Sequence, residues 1–285
     1  MWKLSLTGGR ELAFGPLPGV MAILNVTPDS FSDGGRLSTA AAAIAAGLRA
    51  AEQGAVALDV GGESTRPKGA AYGAGASAVS LEDELRRVIP VIEGLRTALA
   101  DVAISVDTRK TEVARHALDA GADIVNLVTG LDAEPSLLAL LAARGAGLVL
   151  NHCRGTPDTT FAASRFRDVV PEVTDDLLAA HSRATAAGVG LIFLDPGLGF
   201  GKDVDQNFAL LRSLSALTPH DAPLVVGASR KAFLGADSGR PPGDRLPESL
   251  AAVAVAARFA SRPVLVRVHD VDETARFLKV LGRVA

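Results

Sequence analysis

The chain has 285 residues, 48% of them hydrophobic and 21% charged, with 29 glycines, 15 prolines and a formal net charge of −3. That composition suits a globular chain with a sizeable core. It makes no global electrostatic case for nucleic acid or an anionic membrane, so an anion site would need cations gathered locally. The single cysteine, Cys153, excludes an intramolecular disulfide, the opening MWKLSLTGGRELAFG has no basic-then-apolar leader, and no apolar run is long enough to span a bilayer, so a soluble cytoplasmic protein is expected.

Residues 1–15 read as a hairpin that turns at Gly8-Gly9, placed to close one end of the main body of the chain. Short apolar runs then alternate with Ala/Leu-rich amphipathic segments. In chain order the strands are Val20–Asn25, Val56–Gly61, Val102–Asp107, Ile124–Leu127, Leu148–His152, Leu191–Asp195, Leu224–Gly227 and Val264–His269. The helices between and after them are Ala40–Glu52, Leu81–Leu99, Thr111–Ala120, Ser136–Ala143, Val170–Ala187, Gln206–Leu214, Glu248–Phe259 and Val271–Leu281. Parallel strands covered on both faces read as near-continuous apolar runs, as these do. Eight such pairs in roughly 250 residues predict a closed (β/α)8 TIM barrel. The competitor is an open doubly wound sheet, which usually carries a Gly-rich phosphate fingerprint after its first strand; none follows Asn25. With no linker or compositional break, residues 1–285 are expected to form a single domain.

In a TIM barrel the chemistry sits at the C-terminal ends of the strands. Here those ends carry Asn25, the run Gly62-Glu63-Ser64-Thr65-Arg66, Asp107, Asn126, Asn151-His152, Asp195, Ser229-Arg230-Lys231 and Arg267-Val268-His269. Any one of them is explicable as a helix N-cap, but Arg, Lys and His are not N-cap residues. The set divides by chemistry. Asp107, Asn126 and Asp195 suit a planar ring bearing amide and amine groups, while Arg66, Lys231, Arg267 and His269 suit an anion.

Other constellations fail on spacing. Gly197–Lys202, GLGFGK, resembles a phosphate loop but lacks the required spacing and the Ser/Thr that should follow. Gly227-Ala228-Ser229 lacks the second glycine of a nucleophile elbow. His152-Cys153 has no second cysteine to build a transition-metal site.

The strings ILNVTPDSFSDGG (23–35), DVGGESTRP (59–67), SVDT (105–108), LDPGLGFGK (194–202), GASRKAFLG (227–235) and RVHDV (267–271) resemble the dihydropteroate synthases of the pterin-binding barrel family, in order and from about Val20 to Leu281. The resemblance implies a transferase of folate biosynthesis that joins 6-hydroxymethyl-7,8-dihydropterin diphosphate to 4-aminobenzoate by an SN1-like route and releases diphosphate. It implies catalytic roles for Lys231, Arg267, Asp107 and Arg66, and a pterin pocket of Asp107, Asn126, Asp195, Lys231 and Arg267. Aminobenzoate falls to Phe31, Ser64, Thr65, Pro67, Phe200 and Ser229. Diphosphate falls to Asn25, Arg66, Arg267 and His269, with Asn25 also holding Mg²⁺. Sulfonamide sensitivity and a homodimer are implied as well, with small molecules as the only other partners and neither nucleic acid nor membrane.

Three positions depart from the family pattern. Leu127 follows Asn126 where an Asp is usual, Asn151-His152-Cys153 replaces Met-His-Met, and Lys68 with Gly69–Ser77 lengthens the second loop. Two alternatives stand beside the synthase, and the Leu127 change bears on the second. One is a pterin-binding methyltransferase acting between methyltetrahydrofolate and a corrinoid protein, and the other is a catalytically weak pterin-binding paralogue.

Overall fold

The computed structural model describes residues 1–27, 40–64, 79–156, 159–217, 222–258 and 262–284. Strands β1 (Trp2–Ser5) and β2 (Glu11–Phe14) form an antiparallel hairpin around a short 3-10 turn at Thr7–Gly9. Eight parallel strands follow: β3 (Gly19–Asn25), β4 (Ala55–Gly61), β5 (Ala103–Asp107), β6 (Ile124–Leu127), β7 (Gly147–Asn151), β8 (Ile192–Asp195), β9 (Leu224–Val226) and β10 (Val264–Val268). They close into a barrel in sequence order, with β10 paired to both β9 and β3. The helices are α1 (Ala40–Glu52), α2 (Leu81–Ala98), α3 (Thr111–Asp119), α4 (Pro135–Arg144), α5 (Thr160–Ala163), α6 (Val169–Ala186), α7 (Val204–Arg212), α8 (Leu246–Ala257) and α9 (Val271–Val284). This is the (β/α)8 barrel with an N-terminal hairpin that the alternation predicts. Among the described residues no helix is long and apolar enough to cross a membrane.

Local chemistry fixes several helix ends. Ser80 Oγ accepts the Asp83 N–H at 3.1 Å at the start of α2, whose first turn holds Glu82, Asp83 and Glu84. Asp203 and Gln206 form a reciprocal capping box on α7, which starts two residues earlier than the apolar periodicity suggests and ends at Arg212 before a 3-10 turn over Leu214–Leu217. Gly145 ends α4 in the left-handed conformation.

The period of two along each strand sorts the side chains between two cores. Facing outward, Leu58, Val60, Ile104, Val106, Val125, Leu127, Leu148, Leu150, Leu194 and Val266 pack against the helices. Facing inward, Met21, Ala57, Ala103, Ile124, Val149, Phe193, Val225 and Leu265 supply one residue per strand to a second core, and Leu6, Leu12 and Phe14 of the hairpin join it. The hairpin thus plugs the N-terminal end. Gly19 is needed there because a Cβ would lie 2.8 Å from Val56 and 3.1 Å from Phe14.

Candidate active site

Moving two residues along each strand from the inner apolar layer exposes the next inward position, and there the chemistry changes. Met21 leads through Ile23 to Asn25, Ala57 through Asp59 to Gly61, and Ala103 through Ser105 to Asp107. Ile124 leads to Asn126, Val149 to Asn151, Phe193 to Asp195, Val225 to Gly227, and Leu265 through Arg267 to His269. Strand register therefore converts an apolar floor into a polar mouth at the C-terminal end. Two glycines leave that mouth open. A Cβ on Gly61 would sit 3.5 Å from Asp107 Cβ and 3.8 Å from Asn25 Oδ1, and one on Gly227 would sit 3.7 Å from Asp195 Oδ2.

Arg267 organises the mouth. Its Nε donates to Asp59 Oδ2 at 2.6 Å and its Nη2 to Asp107 Oδ2 at 2.9 Å, and Asn126 Nδ2 donates to the same Asp59 oxygen at 2.9 Å. Burial pushes the Asp107 carboxyl up to about 7, against the pull of Arg267 and with the push of nearby carboxylates. Asp195 is raised by burial too, although Lys231 and the Gly197 N–H, which donates to its Oδ1 at 2.7 Å, oppose this. Asp59 Oδ1, Asp107 Oδ1, Asn151 Oδ1 and Ser105 Oγ are buried and have no hydrogen-bond partner. A buried acceptor left unpaired is costly, so this pocket is built for a ligand that brings donors.

Lys231 stands at the edge of the mouth. Its ammonium donates to the Leu198 carbonyl and lies 4.6 Å from the centroid of the Phe200 ring. Burial lowers it to about 8, with Asp195 acting in the opposite sense. Phe200 is buried in a small apolar cluster with Val128 and Cys153. Ser229 Oγ accepts the His269 N–H at 3.2 Å and lies 3.0 Å from His269 Nδ1. At the start of the second loop, Glu63 accepts from Arg109, Lys110 and the Val79 N–H, which brackets the segment between them. Burial favours its neutral form, but Lys110 and Arg109 hold its carboxyl below the usual range.

The GLGFGK run is filled by its own lysine. Gly197, Gly199 and Gly201 take positive φ angles of 65°, 82° and 66°, and a Cβ on Gly197 would fall 1.9 Å from the His152 carbonyl oxygen. The bends turn carbonyls inward around Lys202, whose Nζ donates to Gly197 O at 2.9 Å and Phe200 O at 3.1 Å and lies 3.0 Å from His152 Nδ1. Burial lowers this ammonium to about 7 and the His152 imidazole to about 4. His152 Nε2 faces Asp176 Oδ2 at 3.1 Å, and that carboxylate is held at about 2, chiefly by the His152 hydrogen bond.

The structure thus gathers Asn25, Asp107, Asn126, Asp195, Ser229, Lys231, Arg267 and His269 around one barrel mouth, with Phe200 beside it and Ser64 where the second loop begins. Phe31, Thr65, Arg66 and Pro67 lie outside the described residues. Sequence reasoning missed Asp59 and Lys202. A carboxylate at an inward register inside the apolar run Val56–Gly61 is the available signal for Asp59, and the Gly-rich GLGFGK run, set aside as a phosphate loop, is the one local signal for Lys202. Two of the three departures from the family pattern find places, while Lys68 and residues 69–77 lie outside the described residues. Leu127 faces outward in the strand–helix core, Asn151 is the polar residue of its triplet that faces inward, and His152 turns away to Lys202.

Residues 21–269 match the family model described as pterin binding enzyme. The dihydropteroate synthase of Synechocystis sp. is 43% identical over 264 residues, 92% of this chain and 88% of that protein. A solved dihydropteroate synthase of Xanthomonas albilineans with 4-aminobenzoic acid superposes with a TM-score of 0.84 at 43% identity, covering 98% of this chain and 97% of that one. The Yersinia pestis dihydropteroate synthase in a sulfonamide drug complex gives 0.88 at 37% identity, with both chains fully covered.

Proposed function

The chain belongs to the pterin-binding enzyme family, and we propose that it condenses 6-hydroxymethyl-7,8-dihydropterin diphosphate with 4-aminobenzoate, as a dihydropteroate synthase, to give 7,8-dihydropteroate and diphosphate. The observation that carries this reading is the set of buried, unpartnered acceptors on Asp59, Asp107 and Asn151 at one end of the barrel. A dihydropterin presents amine and ring N–H donors along one edge and so suits those acceptors.

Asp107, Asn126 and Asp195 read the ring edges, with Lys231 at its rim. Arg267, whose guanidinium plane is fixed by two carboxylates, lies along the ring and reaches the diphosphate. Asn25 and His269 complete the diphosphate site, and Arg66 joins them from the second loop. Ser229, Ser64 and Phe200 line the aminobenzoate side, which Phe31, Thr65 and Pro67 cover. The bond from the pterin methylene to diphosphate breaks ahead of bond formation to the arylamine nitrogen, which then sheds its surplus proton to solvent. Positive charge developing at the methylene is stabilised by the fixed carboxylates of Asp107 and Asp195, and negative charge on the leaving group by Arg267 and His269.

The donor set fits Mg²⁺ in one specific way. Among the described residues no group of three or more His, Cys, Asp or Glu side chains is clustered to hold a metal. The Asn25 amide oxygen beside the side-chain-free Gly61 offers a single hard ligand. Mg²⁺ commonly takes one or two protein oxygens and fills its shell with substrate phosphates and water, so it would be held by Asn25 together with the diphosphate. When bound, it neutralises charge on the leaving group.

A corrinoid-linked methyltransferase would have no use for the Ser229–Lys231 array. The weak-paralogue alternative rests on Leu127, and that side chain packs among the strand–helix contacts. We further propose a single-domain, cytoplasmic homodimer, the mass of which sedimentation velocity measures. Mass spectrometry of a reaction with both substrates tests the activity: 7,8-dihydropteroate is the expected product, and its absence with both substrates intact would overturn the reading.

A further inference from the structure

Arg230 is, among the described residues, the one residue other than glycine with a positive φ, 58°. An L-residue is disfavoured there because its Cβ crowds the following carbonyl oxygen, so a left-handed arginine must be held by its surroundings. Both the side chain and the backbone of Arg230 are held. Its Nε donates to Asp270 Oδ2 at 3.0 Å and its Nη2 to Asp270 Oδ1, a two-pronged pairing with both side chains only 17% exposed. Its backbone N–H donates to Ser249 Oγ at 3.0 Å in α8, and its carbonyl accepts from Arg245 Nη1 at 3.1 Å.

Its neighbours on either side are both site residues. Ser229 is paired with His269, so Ser229–His269 and Arg230–Asp270 form two successive rungs between the loops that follow β9 and β10. On the other side Lys231 reaches the Leu198 carbonyl. The left-handed step between them lets Ser229 and Lys231 aim at different parts of the same mouth. In an extended or right-handed conformation at residue 230 they would diverge from this arrangement.

We infer that the Arg230–Asp270 ion pair holds the left-handed turn that aims Ser229 and Lys231 into the mouth, which makes Asp270 a positioning residue for the reaction. The inference rests on the synthase reading above. It predicts that Asp270 acts through the backbone conformation at 230, with no contact to substrate. The clamp is dispensable once residue 230 is a glycine, which adopts positive φ freely.

The test uses the full chain and compares Asp270→Asn, Arg230→Ala, Arg230→Gly and the Arg230→Gly/Asp270→Asn double variant. Diphosphate release gives kcat and KM for each substrate, and melting temperature reports the fold. Both Arg230 variants lose the ion pair, but only alanine opposes the left-handed backbone. Arg230→Ala should fall about tenfold in kcat/KM with aminobenzoate, and Arg230→Gly should retain several-fold more. Asp270→Asn should fall by a similar factor in the native background and by less than about twofold with glycine at 230. Equal losses in the alanine and glycine variants, or the same Asp270→Asn loss in both backgrounds, would overturn the inference. Should Asp270→Asn not fold, the alanine–glycine pair, which keeps Asp270, decides alone. Wild-type turnover is read first. If it is absent, the synthase reading falls, and the alanine–glycine comparison is made on pterin affinity by calorimetry with the same expected order.

Discussion

Arg267 Nε meets Asp59 Oδ2 at 2.6 Å, joining β10 to β4 across the intervening β3 at the barrel mouth. The same guanidinium meets Asp107, so one arginine balances two buried carboxylates. Removing it therefore does more than delete a ligand contact, because it leaves two acidic groups without their cation.

The first prediction comes from that pairing. Arg267→Ala should weaken binding of the diphosphate-bearing substrate more than that of free pterin, since its partner includes the leaving group. Asp59→Asn, which keeps the shape and removes the charge, should lower kcat/KM by about one to two orders of magnitude through loss of a charged hydrogen bond. Calorimetry with free pterin and with the diphosphate, beside steady-state kinetics, checks both. Equal affinity losses for the two ligands would remove Arg267 from the diphosphate site.

Leu127 gives a prediction of the opposite kind. It is 2% exposed among the outward-facing strand residues and α-helices. Leu127→Ala should cost about 2–4 kcal/mol of stability, as buried leucine truncations do. Pterin affinity should stay within about twofold of the native value. A large affinity loss with an unchanged melting temperature would return this position to the site.

The pH dependence is set by two buried groups with opposite signs. Asp107, pushed up to about 7, is an ionised acceptor above that pH and gains a proton below it. Lys231, lowered to about 8, is a cation below that pH and neutral above it. The profile of kcat/KM, which reports the free enzyme, should fall on the acid side of about 7 and on the alkaline side of about 8. A flat profile from pH 6 to 9 would separate these residues from turnover. Lys231→Ala should abolish the alkaline limb and impair use of both substrates.

If Phe31, Thr65 and Pro67 cover the aminobenzoate beside Phe200 and Ser229, a sulfonamide should compete with aminobenzoate and leave maximal velocity unchanged. Inhibition kinetics at several aminobenzoate concentrations measure this. Non-competitive inhibition would contradict that arrangement.

Much of this architecture is legible in the sequence because the barrel obeys a simple period. Apolar runs such as Val102–Asp107 end on the residue that reaches the mouth, so Asn25, Asp107 and Asp195 are found by locating strand ends. Asp59 escapes that rule because it lies two residues inside its strand, where it is visible only once inward and outward registers are assigned. Leu127 is the converse. Its position next to Asn126 suggests the site, yet alternation sends the two side chains to opposite faces. Lys202 depends on three left-handed glycines folding its own loop around it, a closure that spacing alone does not encode. The pairing of Arg230 with Asp270 joins residues 40 apart, and only the β9–β10 neighbourhood brings them together.

The most direct measurement of the central claim is diphosphate release from 6-hydroxymethyl-7,8-dihydropterin diphosphate with and without 4-aminobenzoate, with pterin binding followed in parallel by calorimetry. Diphosphate should appear in step with dihydropteroate and require the arylamine for sustained turnover. Retained pterin binding with no diphosphate release above background would contradict the synthase.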